Sequence, residues 1–200
     1  MPVLKKYPIS LDNPLLQSHI RFTDSAKALD ITLEVASILD DMRFLTTSVL
    51  QLSKNPSCTP QEIAKFLTTA HWIHSRLTSS SSPNPSLATD FIYQTCRTTA
   101  IIYSSAILTR TPLSMSCTHQ LLQQLWMTMW RVPLPRWKKT PGIFFWVLLV
   151  ANPYARDKLE GKFLKGLTPA CAMGIGTVDW DTVMAIWKGV FEVQKWLGVS

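Results

Sequence analysis

Two places in the sequence set potential metal ligands at helical spacing. Asp40-Asp41-Met42-Arg43-Phe44 carries paired carboxylates of the kind that hold magnesium against a diphosphate. Magnesium in that role needs further oxygen ligands from a facing helix. The remaining Asp and Glu residues form no second cluster, so a solvated helix face is the favoured reading of Asp40-Asp41. His71 and His74 stand at i and i+3, near enough on one helix to reach a single ion. No third ligand lies close in sequence, and His19 and His119 have no motif around them, so a structural role is favoured. No metal site and no cofactor is expected from these groups.

Other catalytic signatures are missing from the sequence. Gly174-Ile175-Gly176 lacks the third glycine of a nucleotide fingerprint and no strand precedes it, so it reads as a mobile turn before the last helix. No G-x-S-x-G occurs, and no Cys or Ser sits beside a histidine as an activated nucleophile would. Cys58, Cys96, Cys117 and Cys171 are scattered without the close spacing of a zinc or redox pair. Met1-Pro2-Val3-Leu4-Lys5-Lys6 shows no apolar run behind its basic pair, so no secretory signal is expected. Reduced thiols inside the cell follow from that reading. Enzyme activity has no motif in its favour.

Charge is unevenly placed. The net charge is +7, and residues 131–165 hold eight basic groups (Arg131, Arg136, Lys138, Lys139, Arg156, Lys158, Lys162, Lys165) against Asp157 and Glu160. Arg136-Trp137-Lys138-Lys139 mixes an aromatic with cations, as nucleic-acid surfaces do. In a proline-bounded loop such residues read first as a solubilising connection, and Arg131, Arg136, Lys138 and Lys139 are the candidate interaction surface if they have a further role. Pro133, Pro135 and Pro141 predict an extended, exposed loop with Trp137 turned inward. No acidic residue between Ile92 and Ala155 is at hand to pair with these cations.

The elements that must position these groups are helical. Of the 200 residues 46% are hydrophobic and only 16% charged, which excludes intrinsic disorder and predicts one domain, 1–200, with a real core. Residues 1–24 read as an extended N-terminal segment. Leu29, Leu33, Ala36, Met42, Leu45, Val49 and Leu52 draw a helical stripe from Ser25 to about Ser53, with a possible break at Asp40-Asp41. Thr59-Pro60-Gln61-Glu62 is a capping box with proline in the first turn, opening a helix to about Leu77. The serines and prolines of 79–86 predict a flexible surface loop. Further helices are expected from Ser86 to Thr109, from Ser116 or Thr118 to Trp130, from Ala155 to about Leu167, and after Asp179 or Thr177.

Pro141 opens the most apolar helix. Its run Ile143 to Ala151 is nine residues long, where a bilayer span needs about 20. A helix apolar nearly all round must be surrounded by others. Asn152-Pro153 ends or kinks it. The expected fold is all-α, an irregular array of about seven helices around this central one.

From about Arg97 to its end the chain resembles the C-terminal part of the fungal-specific transcription factor domain. The likeness lies in Arg97-Thr98-Thr99-Ala100-Ile101-Ile102-Tyr103, in Leu121-Leu122-Gln123-Gln124-Leu125, and in Trp137 followed by Pro141-Gly142-Ile143-Phe144-Phe145-Trp146-Val147-Leu148-Leu149. The family's next helix is short and carries an arginine and an aromatic, matched here by Arg156 and Phe163-Leu164. Its closing helix is introduced by a tryptophan, matched by Trp180 to Trp196. The family's cysteine-rich DNA-binding cluster has no counterpart in this sequence, whose first cysteine is Cys58, and Asn152-Pro153-Tyr154 replaces the family's small residues.

The resemblance implies a non-enzymatic regulatory module, placed in the nucleus or otherwise the cytoplasm. It would act on transcription through protein partners or a small apolar ligand, without specific DNA binding of its own. The alternative is a small helical enzyme of fungal secondary metabolism, terpene-cyclase-like or other, using Asp40-Asp41 or the histidines. A cavity lined by carboxylates or histidines would favour the enzyme, and an apolar groove the module.

Overall fold

A computed structural model of the chain describes residues 7–55, 58–79 and 85–198. The expectation about the first six residues, and residues 80–84 of the expected serine-proline loop, lie outside that range. Among the described residues there is no strand, and ten α-helices follow one another: α1 (Phe22–Leu29), α2 (Leu33–Lys54), α3 (Pro60–Thr78), α4 (Phe91–Thr109), α5 (Leu113–Ser116), α6 (His119–Arg131), α7 (Leu134–Lys139), α8 (Pro141–Ala155), α9 (Leu159–Gly176) and α10 (Trp180–Trp196). The fold is all-α.

Local chemistry sets most boundaries. Thr59 and Glu62 form the reciprocal capping box, with Thr59 N donating to Glu62 Oε2 at 2.8 Å and Glu62 N to Thr59 Oγ1 at 3.3 Å. Asp90, Thr118 and Asp179 accept the first amides of α4, α6 and α10 through their side chains. The break in the first helical stripe falls at Asp30–Thr32, not at Asp40-Asp41. Asp30 takes the left-handed conformation (φ 57°) that ends α1, and Thr32 caps α2. Asp40 and Asp41 lie in the middle of α2.

Helix α8 is buried as its composition requires, packed by α4, α5, α7 and α9. It does not stand alone at the centre. Helix α4 touches α2, α3, α5, α6 and α8, and buries Cys96, Ala100, Ile102, Tyr103, Ala106 and Ile107. Tyr103 of α4 binds Thr46 Oγ1 of α2 at 2.8 Å and meets the Trp146 ring of α8 edge-on at 6.3 Å, so one phenol joins three helices.

Three further expectations need correction. Residues 7–24 are no loose extension: Ile9–Leu11 forms a 3-10 turn, α1 starts at Phe22, and Leu11, Asp12, Asn13, Leu15 and Leu16 are buried. This strap lies on the start of α8, where a Cβ on Gly142 would collide with the Leu11 and Asp12 carbonyl oxygens. The segment carrying Arg136, Lys138 and Lys139 is the short helix α7 rather than an extended loop. Pro133 precedes it and Pro135 sits in its first turn, where a missing amide costs nothing. Helix α9 runs to Gly176, well past Leu167, and absorbs Gly174-Ile175-Gly176 as its last turn. Pro153, expected to end or kink α8, lies two residues before its end at Ala155.

Candidate functional site

The Asp40-Asp41-Met42-Arg43-Phe44 stretch is spread over three structural tasks. Asp40 accepts the amides of Phe22 at 2.7 Å and Thr23 at 3.0 Å, capping α1, whose own N-cap residue, Arg21, offers no side-chain acceptor. Asp41 pairs with Arg76 of α3, and burial pushes its carboxyl up to about 6 against the pull of that guanidinium. Arg43 turns into the interior toward the strap. It donates to Asp12 Oδ1 and the Ile20 carbonyl, each at 2.6 Å, and to the Asn13 carbonyl at 3.3 Å. Its guanidinium also lies 4.2 Å over the Phe22 ring.

His74 Nδ1 bonds Ser104 Oγ of α4 at 2.8 Å, while His71 is exposed. Burial, then the charge of His71, lowers the His74 pKa. Among the described residues no three His, Cys, Asp or Glu side chains gather in a way that could hold a metal ion. Burial pushes the Cys117 thiol up to about 11 and the Cys171 thiol up to about 12, far from thiolate reactivity.

The basic surface is partly engaged. Arg136 and Lys139 converge on the Asp30 carboxylate, and Arg136 also donates to the Asp30 carbonyl at 2.7 Å. The Lys139 and Arg136 partners hold Asp30 below the usual carboxylate range. A partner for these cations therefore exists, far back in the sequence at the end of α1. Arg131 lies over the Phe91 ring, and Lys138 is exposed. Trp137 is buried as expected, donating Nε1–H to the Met129 carbonyl at 3.2 Å and stacking on Phe144.

A cleft of about 360 Å³ opens between the strap, the C-terminal turn of α2 and α10. Buried Leu15, Leu16 and Leu50 form its floor, with Tyr7 and Ala185 beside them. Lys54, Asp181, Lys188 and Glu192 stand around the opening. Gly189 allows the wall to close up, since a Cβ there would lie 2.7 Å from the Leu15 carbonyl oxygen. Tyr7 donates to Asp12 Oδ1 at 2.7 Å, which ties the mouth of the cleft to the Arg43 network. No histidine or cysteine lines this cleft. Its volume falls within the usual range for small-ligand sites, and over its apolar floor the carboxylates Asp179, Asp181 and Glu192 share the lining with Lys54 and Lys188.

Sequence reading did not find this site because it joins residues 7–17, 50–54 and 179–192, and no short motif spans such separations. The only local signal was Gly189 in an otherwise well-formed helix pattern. Compared with known proteins, the chain matches no family model, no curated protein and no solved structure.

Proposed function

We propose that this chain is a non-enzymatic helical regulatory module that takes a small amphipathic ligand in the cleft between the strap and α10. The observation that carries this reading is the cleft's construction: an apolar floor of Leu15, Leu16 and Leu50 under a rim of lysines and carboxylates. An oily body could rest on the floor while a polar head meets the rim. Of the groups the enzyme alternative would use, Asp40 caps α1, Asp41 pairs with Arg76 and His74 bonds Ser104.

The resemblance from about Arg97 onward supports a role in transcriptional regulation, and with it a nuclear location. The chain would act there through its ligand or protein partners and not by reading DNA itself. Scattered cations give only salt-sensitive, sequence-independent attraction to a duplex.

The test is a thermal-shift screen of the full chain with long-chain carboxylic acids, aryl carboxylic acids and amphipathic amines. A ligand at 100 times its Kd adds about 2.7 kcal/mol, which is several degrees for a chain of this size. Ala185 is exposed and lines the cleft, so Ala185→Trp should fill the space without unfolding the protein. Hits should vanish in that variant and persist in Ala185→Ser. A screen without hits, or hits indifferent to Ala185→Trp, would contradict the reading.

A further inference from the structure

Three aromatic rings form a chain across the surface between α6 and α9, on elements that do not line the ligand cleft. Trp126 and Trp130, one turn apart on α6, meet edge to face with centroids 5.3 Å apart. Trp126 also reaches Phe163 of α9 at 5.8 Å. The middle ring is half-buried, while Trp130 and Phe163 at the two ends are 54% and 55% exposed. Leu159 stands one turn before Phe163 and Met127 three residues before Trp130, both exposed. Exposed Trp, Phe and Met gathered this way are what protein interfaces concentrate, and monomer surfaces seldom do.

The charge around this seam has one dominant sign. Helix α6 contains no carboxylate, and its one formal charge is Arg131. Of the eight basic groups in 131–165, two (Arg136 and Lys139) meet Asp30. The other six stand against two carboxylates, Asp157 and Glu160. Arg131 shares a helix face with Met127 at i+4 and Lys162 shares one with Leu159 at i+3, against Glu160 with Phe163 at i+3, so cations outnumber the carboxylate beside the apolar seam.

We propose that this seam docks an acidic amphipathic helix of a protein partner. The partner's apolar side chains would lie against Trp126, Trp130 and Phe163, and its carboxylates would face Arg131 and Lys162. Trp126 is half-buried between two rings that are more than half exposed, an uneven apolar strip that suits the side chains of a helix better than a flat lipid surface. Trp126 is half-buried and meets both other rings, so it is not a free platform for stacking nucleobases.

The experiment is a displayed library of 16-residue peptides with a helical apolar stripe, flanking positions drawn from Glu, Gln and Lys, selected on the full chain. Enriched peptides should carry net acidic flanks. Trp130→Ala or Phe163→Ala should weaken the best binder at least about tenfold, as the loss of an aromatic anchor does. The double variant Arg131→Glu with Lys162→Glu should shift the selection toward Lys-flanked peptides, a readout that loss of folding cannot imitate. Ala185→Trp should leave peptide binding unchanged, so this surface and the ligand cleft can fail separately. No enrichment, enrichment without charge preference, or an unchanged preference in the double variant would overturn the proposal. So would seam-dependent binding of vesicles with 30% phosphatidylserine, or of a 20-nucleotide single strand, where the peptides fail.

Discussion

Arg43 on α2 donates to the Asp12 carboxylate of the strap at 2.6 Å, a pair formed across 31 residues with both side chains nearly sealed from water. The strap is one wall of the cleft, so this pair sets the geometry of the proposed binding site. Removing one partner of a buried pair leaves the other charge uncompensated, at a cost of about 3–5 kcal/mol. Arg43→Ala should lose that much in urea denaturation. Arg43→Lys should fall well short of wild type, because one ammonium cannot reproduce the fork that reaches Asp12, Asn13 and Ile20 together. A near-neutral Arg43→Ala would show that the strap is held by apolar packing alone.

Trp146 is fully buried at the junction of α8 and α4, and its indole N–H meets no protein acceptor. Trp146→Ala should cost about 3–5 kcal/mol through the cavity it leaves. Trp146→Phe should cost much less, because it gives up a donor without a partner and keeps an aromatic ring against Tyr103. Equal losses for the two variants in denaturant would contradict this account of the centre.

Asp41 makes stability depend on pH in an unusual sense. Its folded pKa of about 6 lies above the unfolded value near 3.9, so the folded state holds the proton more tightly. Its stabilising contribution is present below about pH 4 and is lost as pH rises to about 6. His74, lowered by burial, acts in the opposite direction and loses stability as pH falls below about 6.5. In a His74→Gln background, the melting temperature of Asp41→Asn relative to Asp41 should therefore climb between pH 4 and pH 7. A flat or falling difference would mean that the ion pair with Arg76 outweighs the burial.

The cations of α7 should be unequal. Arg136→Glu should lower the melting temperature slightly more than Lys138→Glu, because Arg136 holds both the carboxylate and the carbonyl of Asp30. The difference should vanish in 1 M salt, where exposed pairs are screened within about 3 Å. A large drop from either substitution would make this surface structural.

What the sequence disclosed and what it hid depend on separation along the chain. Thr59 with Glu62, the proline opening α8 and the apolar run from Ile143 act within a few residues, so the capping, the start and the burial of those helices were readable. The strap was not, because Leu11, Leu15 and Leu16 have no helical period and the residues that fix it, Arg43 and Gly142, bond Asn13 across 30 and 129 residues. The partner of Arg136 was missed for the same reason, since Asp30 is 106 residues distant. Asp40 read as a solvated carboxylate, with metal binding as its alternative, because only the position of α1 shows that it caps another helix. The cleft needs three such distant segments at once, so no local pattern announces it.

The most direct test of the central reading is a calorimetric titration of the strongest thermal-shift ligand into the wild-type chain and into Ala185→Trp. The expected result is one saturable site per chain in the wild type, recovery of the ligand chemically unchanged, and loss of binding in the filled cleft. Equal binding by the two proteins would place the site elsewhere, and conversion of the ligand would make the protein an enzyme.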